Sequence, residues 1–544
     1  MLIFIPMRFR CGVLVILAVA SFALAQDKAA TQAPDREAYK QAVRRPDARD
    51  RIKALHKFVM EYPKSARVDP ANELILKTLL QNWPDETGEI REQVRLMMRG
   101  VRGDDKIDKF DTIADILVTH GRPTSELLEM AEKIEQQALN QFHEKRYMAK
   151  VKREYAEAKV PVSGREVQRA SDDTHAALLT TMGRIEVARG KKQIGQQLFE
   201  QAYKLDPGNS AAAAGLGEIA LHDGRDSDAL GLLANAQLNG TLAPEQRKDL
   251  QDIYQKLHAS SPGGLDAWLD QTYREKFPEA IHVQPYASAD GGKTVLAELF
   301  TGADCGPCAG FDIAMDAVME RYSKRDVAVL MYHEHIPQPD PLTNPSTVQR
   351  LAFYDVRGTP TLAIDGETSM GGGNRSAAPD IYQRFAPKID AGLKAQPELS
   401  LALSASREGE RITAHARVDP LAHGTKNLRL EIVLVEKQVR YSGESGIRFH
   451  PMVVRAMAGM NSDGFALDPS GAQVYDATFD VSQISAGLKT YLDGFEAEND
   501  RFGPIHFAEK KYSIDMGKVA IVAFVQDSET KHVLQASYWE PDAR

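Results

Sequence analysis

The residues best placed for chemistry are two cysteines at Cys305-Gly306-Pro307-Cys308. Two thiols at this spacing can close a disulfide on each other and exchange it with an outside sulfur pair, a two-electron step that needs no metal or organic cofactor. The run Lys293 to Phe300 (KTVLAELF) reads as a buried strand before them, and a helix opens at Cys305 and runs to about Tyr322. A helix N-terminus carries partial positive charge and free N–H groups, which favour a thiolate. In such motifs the first thiol falls from about 8.5 to roughly 3.5–7.5. Cys305, at the exposed end, is the expected attacking thiolate; Cys308, one turn in, resolves the mixed disulfide. Pro307 suits the first helical turn, where its missing N–H has no partner to lose.

Other chemistries fit the same cysteines. With His333 and His335, which project to one face of the next strand, they make a Cys₂His₂ set suited to zinc or copper. Those histidines leave the polar end of that strand, which reads them as surface residues. A purely structural disulfide is the third reading, although its very short loop constrains the unfolded chain little. Asp304 sits immediately before Cys305, and a carboxylate there opposes a neighbouring thiolate.

The elements that must position these residues alternate. Asp326 to His335 is a second strand, Ser346 to Tyr354 a short helix, Pro360 to Asp365 a third strand and Pro379 to Lys394 a last helix. Strands alternating with helices imply a parallel or mixed sheet under helical cover over residues 282–394. The insert Ile336 to Pro345 carries four prolines and reads as a rigid surface loop, with a wall to the site as the alternative. Gly371-Gly372-Gly373 lacks the Lys-Ser/Thr of a phosphate loop and reads as a flexible connector.

On either side the pattern changes. Residues 35–280 are helical, with a period of 34: Gly183, Ile185, Gly190, Leu198 and Ala202 recur as Gly217, Ile219, Gly224, Leu232 and Ala236. Leu205 to Asn209 is the turn between units. Residues 397–544 alternate apolar and polar positions, as at Leu399, Leu401 and Leu403, and predict an all-β, sandwich-like domain. No catalytic motif is visible there, and His450 and Arg455 read as structural. Residues 1–25 read as a cleaved secretory signal: Arg8 and Arg10, the apolar run Val13 to Ala20, then Ala23-Leu24-Ala25. Cys11 leaves with it, and no later stretch approaches a membrane span. Loss of the two arginines takes the net charge from −9 to −11, which with no basic face argues against a nucleic-acid partner. Three cysteines in 544 residues exclude a disulfide-stapled scaffold.

The strand KTVLAELF, the Cys-Gly-Pro-Cys turn and Gly358-Thr359-Pro360-Thr361 together resemble the thioredoxin superfamily. The resemblance implies a cis bond before Pro360 and a backbone at Thr359 and Pro360 that holds the substrate chain opposite a redox-active Cys305–Cys308 disulfide. Leu299 to Cys305, Tyr332 to Pro337 and Asp340 to Pro345 further resemble exported, outer-membrane-protein-28-like thioredoxin-fold proteins of bacteria, which follow this unit with a β-rich domain. The chain also departs from thioredoxin. That family has Trp where Asp304 stands, and a buried Asp where Leu299 stands. The nearest acid, Glu298, faces the other side of the strand and is a candidate proton shuttle only if a bulge re-aims it. The 34-residue period resembles the tetratricopeptide repeat over residues 174–241.

These readings imply a three-part chain exported to the bacterial periplasm or cell envelope. It is expected to be a thiol–disulfide oxidoreductase acting on envelope protein thiols and disulfides. Gly-Pro between the cysteines and Asp304 before them favour a reductase or isomerase-like direction. The repeats offer a surface for a protein partner. The alternatives are a repeat-based envelope scaffold with a regulatory or vestigial redox site, and a zinc or copper carrier.

Overall fold

The computed structural model describes residues 34–157, 161–240, 242–258, 264–277, 281–287, 292–419, 427–459, 463–467, 472–499 and 505–541. The signal-like segment 1–25, Cys11 included, lies outside them. The chain divides into two compact units, one of Met1–Gln271 with Phe495–His506 and one of Thr272–Gly494 with Phe507–Arg544.

The first unit is a helical repeat array. Its period rests on two different uses of glycine. A methyl on Gly183 would meet the Phe199 ring at 2.7 Å, and 34 residues later one on Gly217 would meet Leu233 at 2.8 Å. The helices Gly164–Ala188 and Lys192–Leu205, and then Ser210–His222 and Asp226–Leu238, therefore approach at the same bare positions. Gly190 and Gly224 have φ of 81° and 72° and end the first helix of each pair in the left-handed conformation that glycine adopts most readily. Ser163 closes a capping box with Glu166, and the Asn209 side chain accepts from Ala212 N–H, so both helices begin on satisfied amides. Upstream, where no repeat unit is legible in the sequence, residues 85–170 hold the helices Thr87–Met98, Asp105–Thr119, Ser125–Gln141 and Glu144–Glu157.

The second unit is built on one mixed sheet. Its strands are β1 Val295–Thr301, β2 Val327–His333, β3 Thr361–Ile364, β4 Glu367–Met370, β5 Leu401–Glu408, β6 Arg411–Val418, β7 Leu428–Arg440, β8 Phe449–Met457, β9 Phe465–Ala466, β10 Gln473–Asp480, β11 Val519–Asp527 and β12 Val533–Trp539. Nine form a sheet in the order β12-β11-β7-β8-β2-β1-β3-β4, with β9 beside β7; β10-β6-β5 form a second sheet. β1 runs parallel to β2 and antiparallel to β3, and β2 runs parallel to β8 through Met331 and Val453. The helices Ala309–Arg321 and Ala378–Leu393 pack together, with the Phe311 and Phe385 rings 5.5 Å apart.

Here the structure departs from a separate all-β sandwich. β7, β8, β11 and β12 continue the sheet that contains β1 and β2, and among the described residues only β10, β6 and β5 form an opposing layer. The reason is that β7 and β11 are apolar on both faces. Val433, Val435, Val522 and Phe524 join the core around β1 and β2, whereas Leu430, Ile432, Leu434, Ile521 and Ala523 pack against Ile412, Ala414 and Ala416. A strand of this kind needs cover on both sides, and each such side chain is worth about 1.5–3 kcal/mol when buried. The region also contains a helix, Val481–Glu498, which the alternating pattern does not predict. Among the described residues no helix is long and apolar enough to cross a membrane.

Candidate active site around a buried disulfide

Cys305 and Cys308 are joined, with Cα atoms 5.3 Å apart. Cys305 caps a 3-10 turn, Gly306–Cys308, that runs directly into the helix Ala309–Arg321. The expected strand–turn–helix setting is therefore present, and Pro307 stands in its first turn. One expectation fails: Cys305 is not at an exposed end, since both cysteines are 0 % accessible. The walls come from segments distant in sequence.

The first wall is Gly358-Thr359-Pro360. The Thr359–Pro360 bond is cis, as the resemblance implies. The Cys305 sulfur lies 3.9 Å from the Thr359 carbonyl oxygen and 3.5 Å from its hydroxyl. The same hydroxyl donates to the Ile336 carbonyl at 2.8 Å.

The second wall is the proline-rich insert, which is not a surface loop. Residues 340–344 are buried, and Asp340 ties them to the site. One Asp340 oxygen accepts from the Ala303 N–H at 2.6 Å and the His333 Nδ1–H at 2.8 Å; the other accepts from the Leu342 N–H at 2.7 Å. Burial pushes the Asp340 carboxyl up, but the His333 charge and these donors hold it below its usual value. The Asp340 N–H donates to His335 Nδ1 at 2.9 Å, which leaves the hydrogen of a neutral His335 on Nε2.

The third wall comes from the C-terminal region. The loop between β7 and β8 donates Glu444 N–H to the Asp304 carboxylate at 2.8 Å and Ser445 N–H to the Ala303 carbonyl at 2.9 Å. Burial pushes Asp304 up to about 7, against the pull of that amide. The acid that was to oppose the thiolate is thus only partly ionised near neutral pH. The glycine run is not a loose connector either: Gly373 N–H donates to the Pro307 carbonyl at 2.9 Å, and Gly310 N–H to the Gly373 carbonyl at 2.8 Å.

A polar cluster lies on the helix side of the sheet. Thr301 and His333 are register partners on β1 and β2. Thr301 donates to Asp312 at 2.9 Å, and Asp312 stands one turn beyond Cys308 on the same helix face. Burial pushes Asp312 up to about 7. The His450 ring meets His333 edge-on at 4.9 Å and donates from Nε2 to the Tyr441 carbonyl at 3.0 Å; burial pushes it down to about 3. His450 is thus a neutral partner of the cluster, although the sequence gives it none. Arg455, likewise read without partners, lies 3.5 Å from Glu436 and donates to the Lys511 carbonyl at 2.6 Å. The Cys₂His₂ set is not assembled: the cysteines bind each other, buried His333 binds Asp340, and His335 accepts from the insert. Among the described residues no group of three or more His, Cys, Asp or Glu is arranged to hold a metal ion.

Glu298 lies on the other face of β1. Its carboxylate takes Arg350 Nε at 2.8 Å and Nη2 at 3.0 Å, Tyr332 OH at 3.0 Å and Tyr354 OH at 2.6 Å. No bulge interrupts the β1–β2 register. The candidate shuttle is placed in an ion-pair network away from the polar cluster beside Cys308. Sequence reasoning gave no site role to Asp312, Asp340, Arg350 or His450, although Asp340 opens one of the stretches that carry the resemblance and Asp312 stands four residues from Cys308 on a helix that buries that face.

A tetratricopeptide repeat family model matches residues 175–250, which span the helices that carry the 34-residue period. No curated protein matches the chain.

Proposed function

We propose that this chain is an exported thiol–disulfide oxidoreductase that exchanges disulfides with envelope proteins, in the reductase or isomerase-like direction. One observation carries the reading: a Cys305–Cys308 disulfide at a helix N-terminus, with the Thr359 hydroxyl and carbonyl against the Cys305 sulfur. The order of β1, the cysteine turn, the helix Ala309–Arg321, β2 and the cis bond before β3 supports the thioredoxin-like resemblance.

In the dithiol form the Cys305 thiolate attacks one sulfur of a substrate disulfide. A mixed disulfide forms, and the first substrate sulfur leaves as a thiolate that takes a proton from solvent. Cys308 gives up its proton and attacks the Cys305 sulfur, which closes Cys305–Cys308 and releases the second substrate thiolate. Two electrons pass from the cysteine pair to the substrate, and an external dithiol donor restores the pair. Thr359 and Pro360 hold the substrate chain by backbone contacts.

The test is titration of the pair in defined redox buffers, read by thiol-alkylation mass shift. A reversible couple near −270 mV supports a reductant, and one near −120 mV an oxidant. A pair that does not titrate reversibly removes the oxidoreductase reading.

The second reading is a protein-binding scaffold with a regulatory or vestigial disulfide, and the repeat-family match over residues 175–250 favours it. Repeat arrays of this kind present extended surfaces to protein partners. Cys305→Ser separates the two: lost exchange with retained partner binding supports the enzyme, and an unaffected cellular role supports the scaffold.

A further inference from the structure

The Thr359 hydroxyl has one hydrogen and two acceptors within reach. The Ile336 carbonyl is 2.8 Å away and the Cys305 sulfur 3.5 Å. A disulfide sulfur is a weak acceptor, so in the oxidised protein the hydrogen belongs to Ile336. A thiolate is a far stronger acceptor, because a hydrogen bond to an ionised group is worth roughly twice a neutral one. Reduction therefore changes which acceptor wins without any change of fold.

The competing carbonyl belongs to the insert and is held in place. A methyl on Gly302 would meet the Ile336 oxygen at 2.7 Å, so the insert backbone lies directly on the residues that lead to Cys305. The Ile336 N–H donates to the Glu334 carbonyl at 2.7 Å. Four residues on, Asp340 fastens the far side of the insert to Ala303, His333 and Leu342.

We infer that the Thr359 hydroxyl is the hydrogen-bond donor to the Cys305 thiolate, and that the insert, positioned by Asp340, sets the strength of that bond by offering the Ile336 carbonyl as a rival. The inference rests on the dithiol-exchange reading and deepens it. Thr359 touches the reacting sulfur through its side chain, in addition to the backbone role the resemblance implies. Asp340 acts only through the insert. The charged and titratable groups tied to the segment that leads to this sulfur are Asp304, which precedes it and accepts from Glu444 N–H, and Asp340, which accepts from Ala303 N–H and pairs with His333.

The experiment is the pH dependence of Cys305 alkylation by iodoacetamide in fully reduced protein, for the full chain and for Thr359→Val, Thr359→Ser, Asp340→Asn and the Thr359→Val/Asp340→Asn double variant. Thr359→Val is expected to raise the Cys305 thiol by about one unit, which leaves about tenfold less thiolate at neutral pH. Thr359→Ser keeps the wild-type values. Asp340→Asn loosens the rival carbonyl and lowers the Cys305 thiol, and this effect disappears in the Thr359→Val background. An unchanged thiol in Thr359→Val overturns the inference. An Asp340→Asn effect of equal size in both backgrounds overturns the part played by the insert, since it then reports only the lost charge. If Asp340→Asn does not fold, the Thr359 pair decides. Alkylation needs only the reduced protein, so a wild-type couple that fails to titrate reversibly defeats the oxidoreductase reading while leaving this measurement intact.

Discussion

Arg350 donates to both oxygens of Glu298, at 2.8 and 3.0 Å, with the two side chains 3 % and 0 % accessible. The pair joins distant parts of the second unit, because Arg350 Nη2 also donates to Gln526 on β11 at 2.7 Å and Gln526 donates to Tyr354 at 2.8 Å. Breaking a buried pair from one side leaves the other charge uncompensated, at a cost of about 3–5 kcal/mol. Glu298→Gln is therefore expected to lower the urea midpoint by a corresponding amount. The Cys305 alkylation profile of the folded protein stays unchanged, because Glu298 faces away from the polar cluster. A shifted profile at unchanged stability would restore the shuttle role.

Stability should depend on pH through buried groups of both signs, Asp312 and His450 among them. Asp312 is raised by burial to about 7. Between about pH 4 and pH 7 the unfolded chain has lost a proton that the folded chain keeps, so stability falls as pH rises through this window. His450 is lowered by burial to about 3. Between about pH 6.5 and pH 3 the unfolded chain gains a proton that the folded chain refuses, so stability falls as pH drops. Asp312→Asn keeps the acceptor for Thr301 and removes the Asp312 part of the first slope, to which Asp304 also contributes. It is expected to exceed wild type by up to about 4 kcal/mol at pH 8 and to match it at pH 4, as read by urea unfolding at both pH values.

Asp304 should report on the thiolate only where it is ionised. Its carboxyl is pushed up to about 7 by burial, so its charge appears across the neutral range. In reduced Asp304→Asn, alkylation of Cys305 is expected to be faster than in wild type at pH 8 and equal at pH 5.5. A constant ratio across this range would mean that the carboxylate is ionised throughout.

Gly443 tests the contribution of the C-terminal region. A methyl there would collide with the Ala303 carbonyl and the Asp304 carboxylate. Gly443→Ala must push the β7–β8 loop off the residues before Cys305, breaking the bonds from Glu444 and Ser445. The expected loss is about 1–3 kcal/mol in thermal or urea unfolding. Iodoacetamide should also reach reduced Cys305 faster. Gly231→Ala, at a helical glycine with open space around it, serves as the control: it leaves the alkylation rate unchanged and raises stability by about 0.5–1 kcal/mol, as loss of a helix-interior glycine does.

Much of this was readable from local pattern. Most elements around the cysteines fall within about two residues of their expected ends, because buried strands and capped helices write strong short-range signals; the α-helix proper opens at Ala309 after a 3-10 turn, and β4 was not expected. The repeat was legible because its glycines are fixed by two local needs, close helix approach at Gly183 and Gly217 and a left-handed turn at Gly190 and Gly224. The cis bond at Thr359–Pro360 came from the resemblance rather than from spacing; a second, at Ile336–Pro337, had no such pointer.

Local pattern misread the histidines and the insert. His333 looked like a polar strand end because its partner, Asp340, lies seven residues away across a turn that hydropathy reads as solvent-facing. His450 and the 441–448 loop reach the site only because β8 lies beside β2, a parallel contact between segments more than a hundred residues apart. The apolar runs of β7 and β11 did state that both faces needed cover, but not what would cover them.

The sequence by itself determined the cysteine pair, its place between a strand and a helix, and the helical array before it, since each depends on residues within one or two turns of one another. Tertiary structure alone decided that the disulfide is buried, that Asp304 and Asp312 sit near neutrality, and that one hydroxyl stands between a sulfur and a rival carbonyl. Those are properties of distance and dielectric between segments that sequence separation does not encode.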